Sequence, residues 1–258
     1  MKAVILAGGL GTRISEETAV KPKPMVEIGR MPILWHIMKS FSHHGVDEFI
    51  VLCGYRGHVI KEFFHHYTSL RASVRFDLAT GAMQVLDEVP EPWTVTLVDT
   101  GEETMTGGRI RRAREHIGDN TFFLTYGDGV SDVDLTALLA QHRATGSEVT
   151  LTAVQPPGRF GALTLADEQT RIDSFVEKPD GDRAWINGGF FCVEPEAIDR
   201  IDDDTTSWER EPLARIAADG RLSAYKHTGF WHPMDTLRDK NHLDGLWRAG
   251  QAPWQKAA

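Results

Sequence analysis

Short apolar runs and amphipathic stretches alternate through the first 154 residues. Residues 2–7, 49–53 and 122–126 are almost wholly apolar and of strand length, residues 93–98 are rich in β-branched side chains, and residues 148–154 close the series. Between them lie stretches of helical period. Residues 32–45 carry Leu34, Ile37, Met38 and Phe41 on one stripe, with Pro32 placed to start a helix. Residues 59–67, 109–117 and 135–143 read the same way, the last ended by Gly146. Continuous apolar strands separated by amphipathic helices predict an α/β fold with a mostly parallel sheet covered on both faces.

Beyond Val154 the texture changes. Turn signals crowd together at Pro156-Pro157-Gly158, Asp180-Gly181-Asp182 and Asn187-Gly188-Gly189, and strand-like pieces such as 172–176 and 190–193 are short. This predicts a smaller, β-rich second half. Residues 234–247 return to helical period through Leu237, Leu243, Leu246 and Trp247, a C-terminal helix for the sheet or for another subunit. Residues 76–93 have no helical period; Thr80-Gly81 suggests a hairpin there and a contact between copies of the chain. No repeat or low-complexity tract divides the 258 residues, which suit one large α/β domain.

A net charge of −9 disfavours general nucleic-acid binding. Cys53 and Cys192 lie in apolar runs and read as core thiols, neither a disulfide nor a metal pair, which points to a reducing, cytoplasmic setting. The N-terminal apolar run is too short for a signal peptide or a membrane span, and no membrane partner is expected. The adjacent pairs His43-His44 and His65-His66 are spaced wrongly for a metal face and read as helix-end residues.

The candidate chemistry starts where the first strand ends. Gly8-Gly9-Leu10-Gly11-Thr12-Arg13 places backbone N–H groups and a guanidinium fork at one strand end, and Lys21-Pro22-Lys23-Pro24 adds two lysines on a stiff segment. The spacing fits neither a Walker loop nor the dinucleotide fingerprint. The competing reading, a simple turn with solvated basic residues, is weakened by the number of cations; the set describes a polyphosphate site. Tyr126-Gly127-Asp128-Gly129 follows the strand at 122–126, where ligands of open parallel sheets sit. Asp128 is therefore a candidate Mg²⁺ ligand, with a turn role as the alternative. Asp235, in an aromatic segment, is the second candidate or else the N-cap of the last helix. Asp99, Asp132 and Asp134 are rivals, the latter two better placed as helix caps. Arg109 follows Thr106-Gly107-Gly108 and is expected to open a helix whose N-terminus favours anions, while Arg111, Arg112 and Arg114 read as a solvated face. Glu177-Lys178 and Asn187-Gly188 flank the second half's strands and suit a sugar and a second phosphate, or simply solvent.

Together these segments resemble the sugar-phosphate nucleotidylyltransferases over nearly the whole chain. The resemblance is carried by residues 6–13, 21–29, 32–36, 96–101, 105–109, 125–129, 156–161, 186–191 and 230–239. The blocks at 105–109, 156–161 and 231–239 match the branch that joins CTP to glucose 1-phosphate. The resemblance implies a Rossmann-like fold forming a single domain, with a nucleotide-binding half at about 1–154 and a sugar-phosphate-binding half with the C-terminal helix at about 155–258. It implies that Leu6, Ala7, Gly8, Gly9, Leu10, Gly11, Thr12 and Arg13 bind nucleotide, with Lys23 at the reaction centre and Thr104, Arg109 and Gly127 nearby. Asp128 and Asp235 would hold Mg²⁺, and Glu177, Lys178, Asn187 and Gly188 the sugar phosphate. The implied product is CDP-glucose, for deoxysugar and O-antigen-type biosynthesis, made by a homo-oligomer. Arg30-Met31 departs from the family, which favours a smaller residue and then lysine. Another base or hexose, a metal-dependent glycosyltransferase and a non-catalytic nucleotide sensor are the rival readings. Asp-x-Asp is missing at Asp128, against the second, and the intact set Arg13, Lys23, Asp128 and Asp235 speaks against the third.

Overall fold

The computed structural model describes residues 1–87, 91–156 and 184–255 fully and the backbone of 162–165 and 172–176. Its centre is a seven-stranded sheet in the order Leu222–His227, Val149–Val154, Ile186–Val193, Phe122–Tyr126, Lys2–Ala7, Glu48–Cys53, Thr94–Asp99. All neighbours pair in parallel except Ile186–Val193, which is antiparallel to both of its partners. The expected mostly parallel, helix-flanked α/β architecture is observed.

Alternation along each buried strand feeds two cores. Ala3, Ile5 and Ala7 face one, with Leu34, Phe41 and Phe49. Val4 and Leu6 face the other, with Ile110, Ile117 and Trp208. The central strands are buried on both faces, which is why they read as unbroken apolar runs, while the edge strands Thr94–Asp99 and Leu222–His227 are only partly covered. Cys53 and Cys192 sit in this interior, where burial pushes both thiols above their ordinary values, Cys53 to about 11.

The helix Ile33–His43 starts directly after Pro32, and Leu135–Thr145 ends at Gly146 in the left-handed region, as the pattern predicts. His43 and His65 are the last residues of their helices. The stretch at 109–117 is instead two helices, Thr106–Arg112 and Arg114–Ile117, broken at Ala113. Asp134 caps its helix by accepting from the Ala137 amide (2.9 Å), whereas Asp132 is not a cap and pairs with His227 at 3.0 Å. The hairpin around Gly81 joins Val74–Asp77 to Ala82–Val85. The C-terminal helix Leu237–Arg248 packs back on the chain, burying Leu243 and bonding the Gly29 amide through Asp244 (2.7 Å). Among the described residues no helix is long and apolar enough to cross a membrane.

The chain moves outward from Lys2–Ala7 to Glu48–Cys53 and Thr94–Asp99, then crosses to Phe122–Tyr126 on the other side of the first strand. That reversal leaves a crevice beyond the carboxyl ends of the two central strands.

Candidate active site

A cavity of about 350 Å³ occupies this crevice. The first strand runs into the Gly8–Gly11 loop, and Gly11, at φ 65°, turns the chain into the short helical turn Thr12–Ile14. The two central strands touch just above the sheet: the Gly127 amide donates to the Leu6 carbonyl (2.9 Å). A Cβ at Gly127 would stand 2.9 Å from that oxygen, so the position admits no side chain without moving backbone. A Cβ at Gly9 would meet no atom within 4 Å; that position faces open space.

Lys23 owes its position to its prolines. Pro22 is extended, and Lys23–Met25 closes a tight turn that buries Pro24 and Met25. The lysine side chain is driven inward, 8% exposed, with its Nζ 2.7 Å from Asp128 Oδ2 and 2.7 Å from Asp235 Oδ1. Arg13 Nη1 donates to the other Asp235 oxygen at 2.6 Å. Asp128 and Asp235, over a hundred residues apart, are tied together by a small ribbon. Gly129–Ser131 pairs antiparallel with Trp231–Pro233, and the Met234 amide donates to the Asp128 carbonyl (2.8 Å). Asp235 is not the cap of the last helix; Thr236 is, in a reciprocal capping box with Asp239.

Of the nucleotide residues expected from the sequence, Leu6, Ala7, Gly8, Gly9, Gly11, Thr12, Arg13, Lys23, Thr104, Arg109 and Gly127 all line the cavity. Leu10 does not; its side chain points to solvent, 56% exposed. Lys21 also lies outside the set, drawn to Glu17 and Glu27 at 3.9 Å each.

Arg109 departs most from expectation. It lies within Thr106–Arg112, does not open that helix, and is buried. Its Nη1 donates to Thr100 Oγ1 (2.7 Å) and the Gly101 carbonyl (2.6 Å). Its Nη2 donates to the carbonyls of Gly8 and Glu102, both at 3.0 Å. Burial and the nearby Arg112 lower its pKa, yet a guanidinium stays charged. Neutral oxygens stabilise this cation, and it clasps the glycine loop to the neighbouring strand ends. A Cβ at Gly8 would lie 2.2 Å from Nη1, so Gly8 is glycine to admit the clasp.

On the far rim Asn187 donates to the Tyr126 hydroxyl (3.3 Å), and Tyr126 donates to Glu209 (2.8 Å). Thr106, in the cavity wall, donates to the other Glu209 oxygen at 2.7 Å. Burial and Glu209 both push the Tyr126 phenol upward. Glu209 was not visible in the sequence, since a carboxylate in a polar loop after Thr205-Thr206-Ser207 carries no pattern. Gly188 sits beside Val154 and accepts from the Trp231 indole at 2.6 Å. Glu177 and Lys178 lie outside the described residues, as does the Pro157 to Gly161 block.

The oxygen set suits a hard cation. Both carboxylates reach one ammonium nitrogen, so they lie within the span of a single positive centre. Among the described residues no cluster of three or more His, Cys, Asp or Glu stands ready for a metal. Such a site matches Mg²⁺, which takes one or two carboxylates and completes its shell with phosphate and water.

Residues 2–232 match the nucleotidyl transferase family. The chain belongs to that family. A nucleotidyl transferase of this kind from Salmonella typhimurium, glucose-1-phosphate cytidylyltransferase, is 59% identical over 99% of both chains. Solved structures share the fold at lower identity. HddC from Yersinia pseudotuberculosis is 23% identical with a TM-score of 0.68, covering 95% of this chain and 99% of its own. UDP-glucose pyrophosphorylase from Acinetobacter baumanii is 18% identical with a TM-score of 0.69, covering 97% of this chain and 95% of its own. The glycine loop, Lys23 and Asp128 thus stand together in the crevice at the sheet's centre, within the part of the chain that matches this family.

Proposed function

We propose that the chain transfers the cytidylyl group of CTP to α-D-glucose 1-phosphate, giving CDP-glucose and pyrophosphate. The full-length likeness to glucose-1-phosphate cytidylyltransferase carries the choice of substrates, and the cation-lined crevice supports the chemistry. In this reading the sugar phosphate is a nucleophile at neutral pH and needs no general base. One of its oxygens attacks the α-phosphorus in line as the bond to the β-phosphate oxygen breaks. The obstacle is repulsion between two anions, so positioning and charge compensation supply the rate.

The amides of the glycine loop cradle the triphosphate. Arg13 and Lys23 compensate charge developing on the transferred and leaving groups. Asp128 and Asp235 are the residues that would hold Mg²⁺, which supplies Lewis-acid compensation on phosphate oxygens when bound. Asn187 and Gly188, with Glu177 and Lys178, would serve the sugar phosphate. We further read residues 1–258 as one domain, with the nucleotide half at about 1–154 and the sugar-phosphate half after it. It works in the cytoplasm, consistent with two unpaired buried thiols, and associates with copies of itself.

Pyrophosphate release measured for CTP, UTP, dTTP and GTP against several hexose 1-phosphates tests this. CTP with glucose 1-phosphate is expected to give the highest kcat/KM. Equal or faster turnover of GTP with mannose 1-phosphate would overturn the substrate choice. Lys23→Ala should lower kcat about a hundredfold or more; a near-normal kcat removes Lys23 from the reaction centre.

A further inference from the structure

Both oxygens of Asp235 already accept from cationic side chains. Its Oδ1 accepts from Lys23 and its Oδ2 from Arg13, while one Asp128 oxygen accepts from the same Lys23 ammonium. Two cationic side chains thus face two carboxylates, and the set is neutral before any ligand arrives. A divalent ion entering it would meet two positive groups at contact distance, each already bonded to an oxygen of Asp235. The cost is high because the lysine is well buried and solvent screens little.

We infer that Lys23 and Arg13 close the divalent-cation site in the nucleotide-free protein, and that a polyphosphate opens it by drawing both side chains away. The inference rests on the proposed assignment of Asp128 and Asp235 as metal ligands. Its mechanics are local. The prolines on either side of Lys23 keep its backbone still, so the swing falls on the flexible side chain, and Lys23 already lines the cavity that the triphosphate would fill. Arg13, 70% exposed, moves at little cost. When both turn to phosphate oxygens, the carboxylates are left unpaired at the same spot, and a divalent ion becomes the stabilising partner. The cation therefore enters with the nucleotide or after it, and free divalent ions are refused.

The test is direct binding of Mn²⁺, followed by electron paramagnetic resonance on the full chain without nucleotide. Wild type should bind Mn²⁺ weakly. Lys23→Met should bind it about tenfold tighter or more, as expected when the competent form is a minor fraction of the wild type. Adding Asp128→Asn to Lys23→Met should abolish the gain. A lysine with only a structural role would alter thermal stability and leave metal affinity unchanged. Wild-type affinity equal to that of Lys23→Met, and lost on Asp128→Asn, overturns the closure and leaves the ligand assignment standing. Tight Mn²⁺ binding that survives Asp128→Asn overturns the ligand assignment itself. Should Lys23→Met fail to fold, wild type still decides. A large rise in Tm with Mn²⁺ alone overturns the closure, and a rise only with CTP and Mn²⁺ together upholds it.

Discussion

Arg109 illustrates how far a residue's type predicts its role. An arginine after Thr-Gly-Gly suggested an anion ligand at a helix start, and its place in the cavity wall agrees with the general location. Its two Nη groups, however, donate to the protein's own oxygens: Gly8, Gly101 and Glu102 through carbonyls and Thr100 through its hydroxyl. Nothing in the local sequence announces a carbonyl cage, because backbone carbonyls carry no side-chain signature and the Gly8 member lies far from Arg109 in the chain. Arg109→Lys keeps the charge but loses the fork, leaving buried carbonyls without donors. It should lower unfolding stability by about 3 kcal/mol in urea titration, and an unchanged midpoint would show that the cage holds nothing. The glycines divide by the same logic. Gly127→Ala forces backbone apart at the Leu6 carbonyl and should destabilise by about 2 kcal/mol, whereas Gly9→Ala meets no atom within 4 Å and should melt like wild type. If the phosphates pass over Gly9, its methyl should raise the KM for nucleotide with the fold intact.

At the scale of elements, apolar runs located the central strands because burial on both faces leaves no alternation to misread. The partner of each strand was less legible: the antiparallel insertion of Ile186–Val193 between parallel neighbours is a matter of register and connection, which periodicity does not encode. The meeting of Asp128 and Asp235 depends on the ribbon Gly129–Ser131 with Trp231–Pro233, too short to stand out. Another such junction is His36, on Ile33–His43. Its Nε2–H donates to the Ile28 carbonyl (2.9 Å), and its Nδ1 accepts from the Trp254 indole (3.3 Å), so the ring is neutral and pins the chain's end to this helix. Burial lowers its pKa from 6.5 to about 4. The unfolded chain therefore binds more protons between these values. The stabilisation is complete above pH 6.5 and is lost as pH falls toward 4, at most about 3 kcal/mol. His36→Gln, which keeps a donor and an acceptor, should flatten the fall of Tm across that window. An identical slope in both proteins would assign the acid sensitivity elsewhere.

For the whole molecule, the sheet, its flanking helices and the crevice at its centre followed from the order of runs and glycine turns, while quaternary structure did not. The hairpin Val74–Asp77 with Ala82–Val85 bears on it. Register sets Phe76 opposite Met83 and Val74 opposite Val85, so one face is apolar, while Arg75 opposite Gln84 lies on the other. Among the described residues neither core covers that face: Phe76 is 55% exposed and Met83 46%, and Leu78 at the turn is 93% exposed. A two-stranded hairpin is marginal by itself, and an apolar patch of this kind on a monomer is costly. In the self-association proposed above, a second copy covers it, since one self-complementary patch meeting itself across a two-fold axis buries both faces at once. Phe76→Lys with Met83→Lys should therefore shift the protein in sedimentation velocity from an oligomer toward the 28.8 kDa monomer. The circular dichroism spectrum should hold, because neither side chain belongs to either core. A wild type that sediments as a monomer at micromolar concentration, or a double variant that keeps its assembly, would remove the hairpin from the interface.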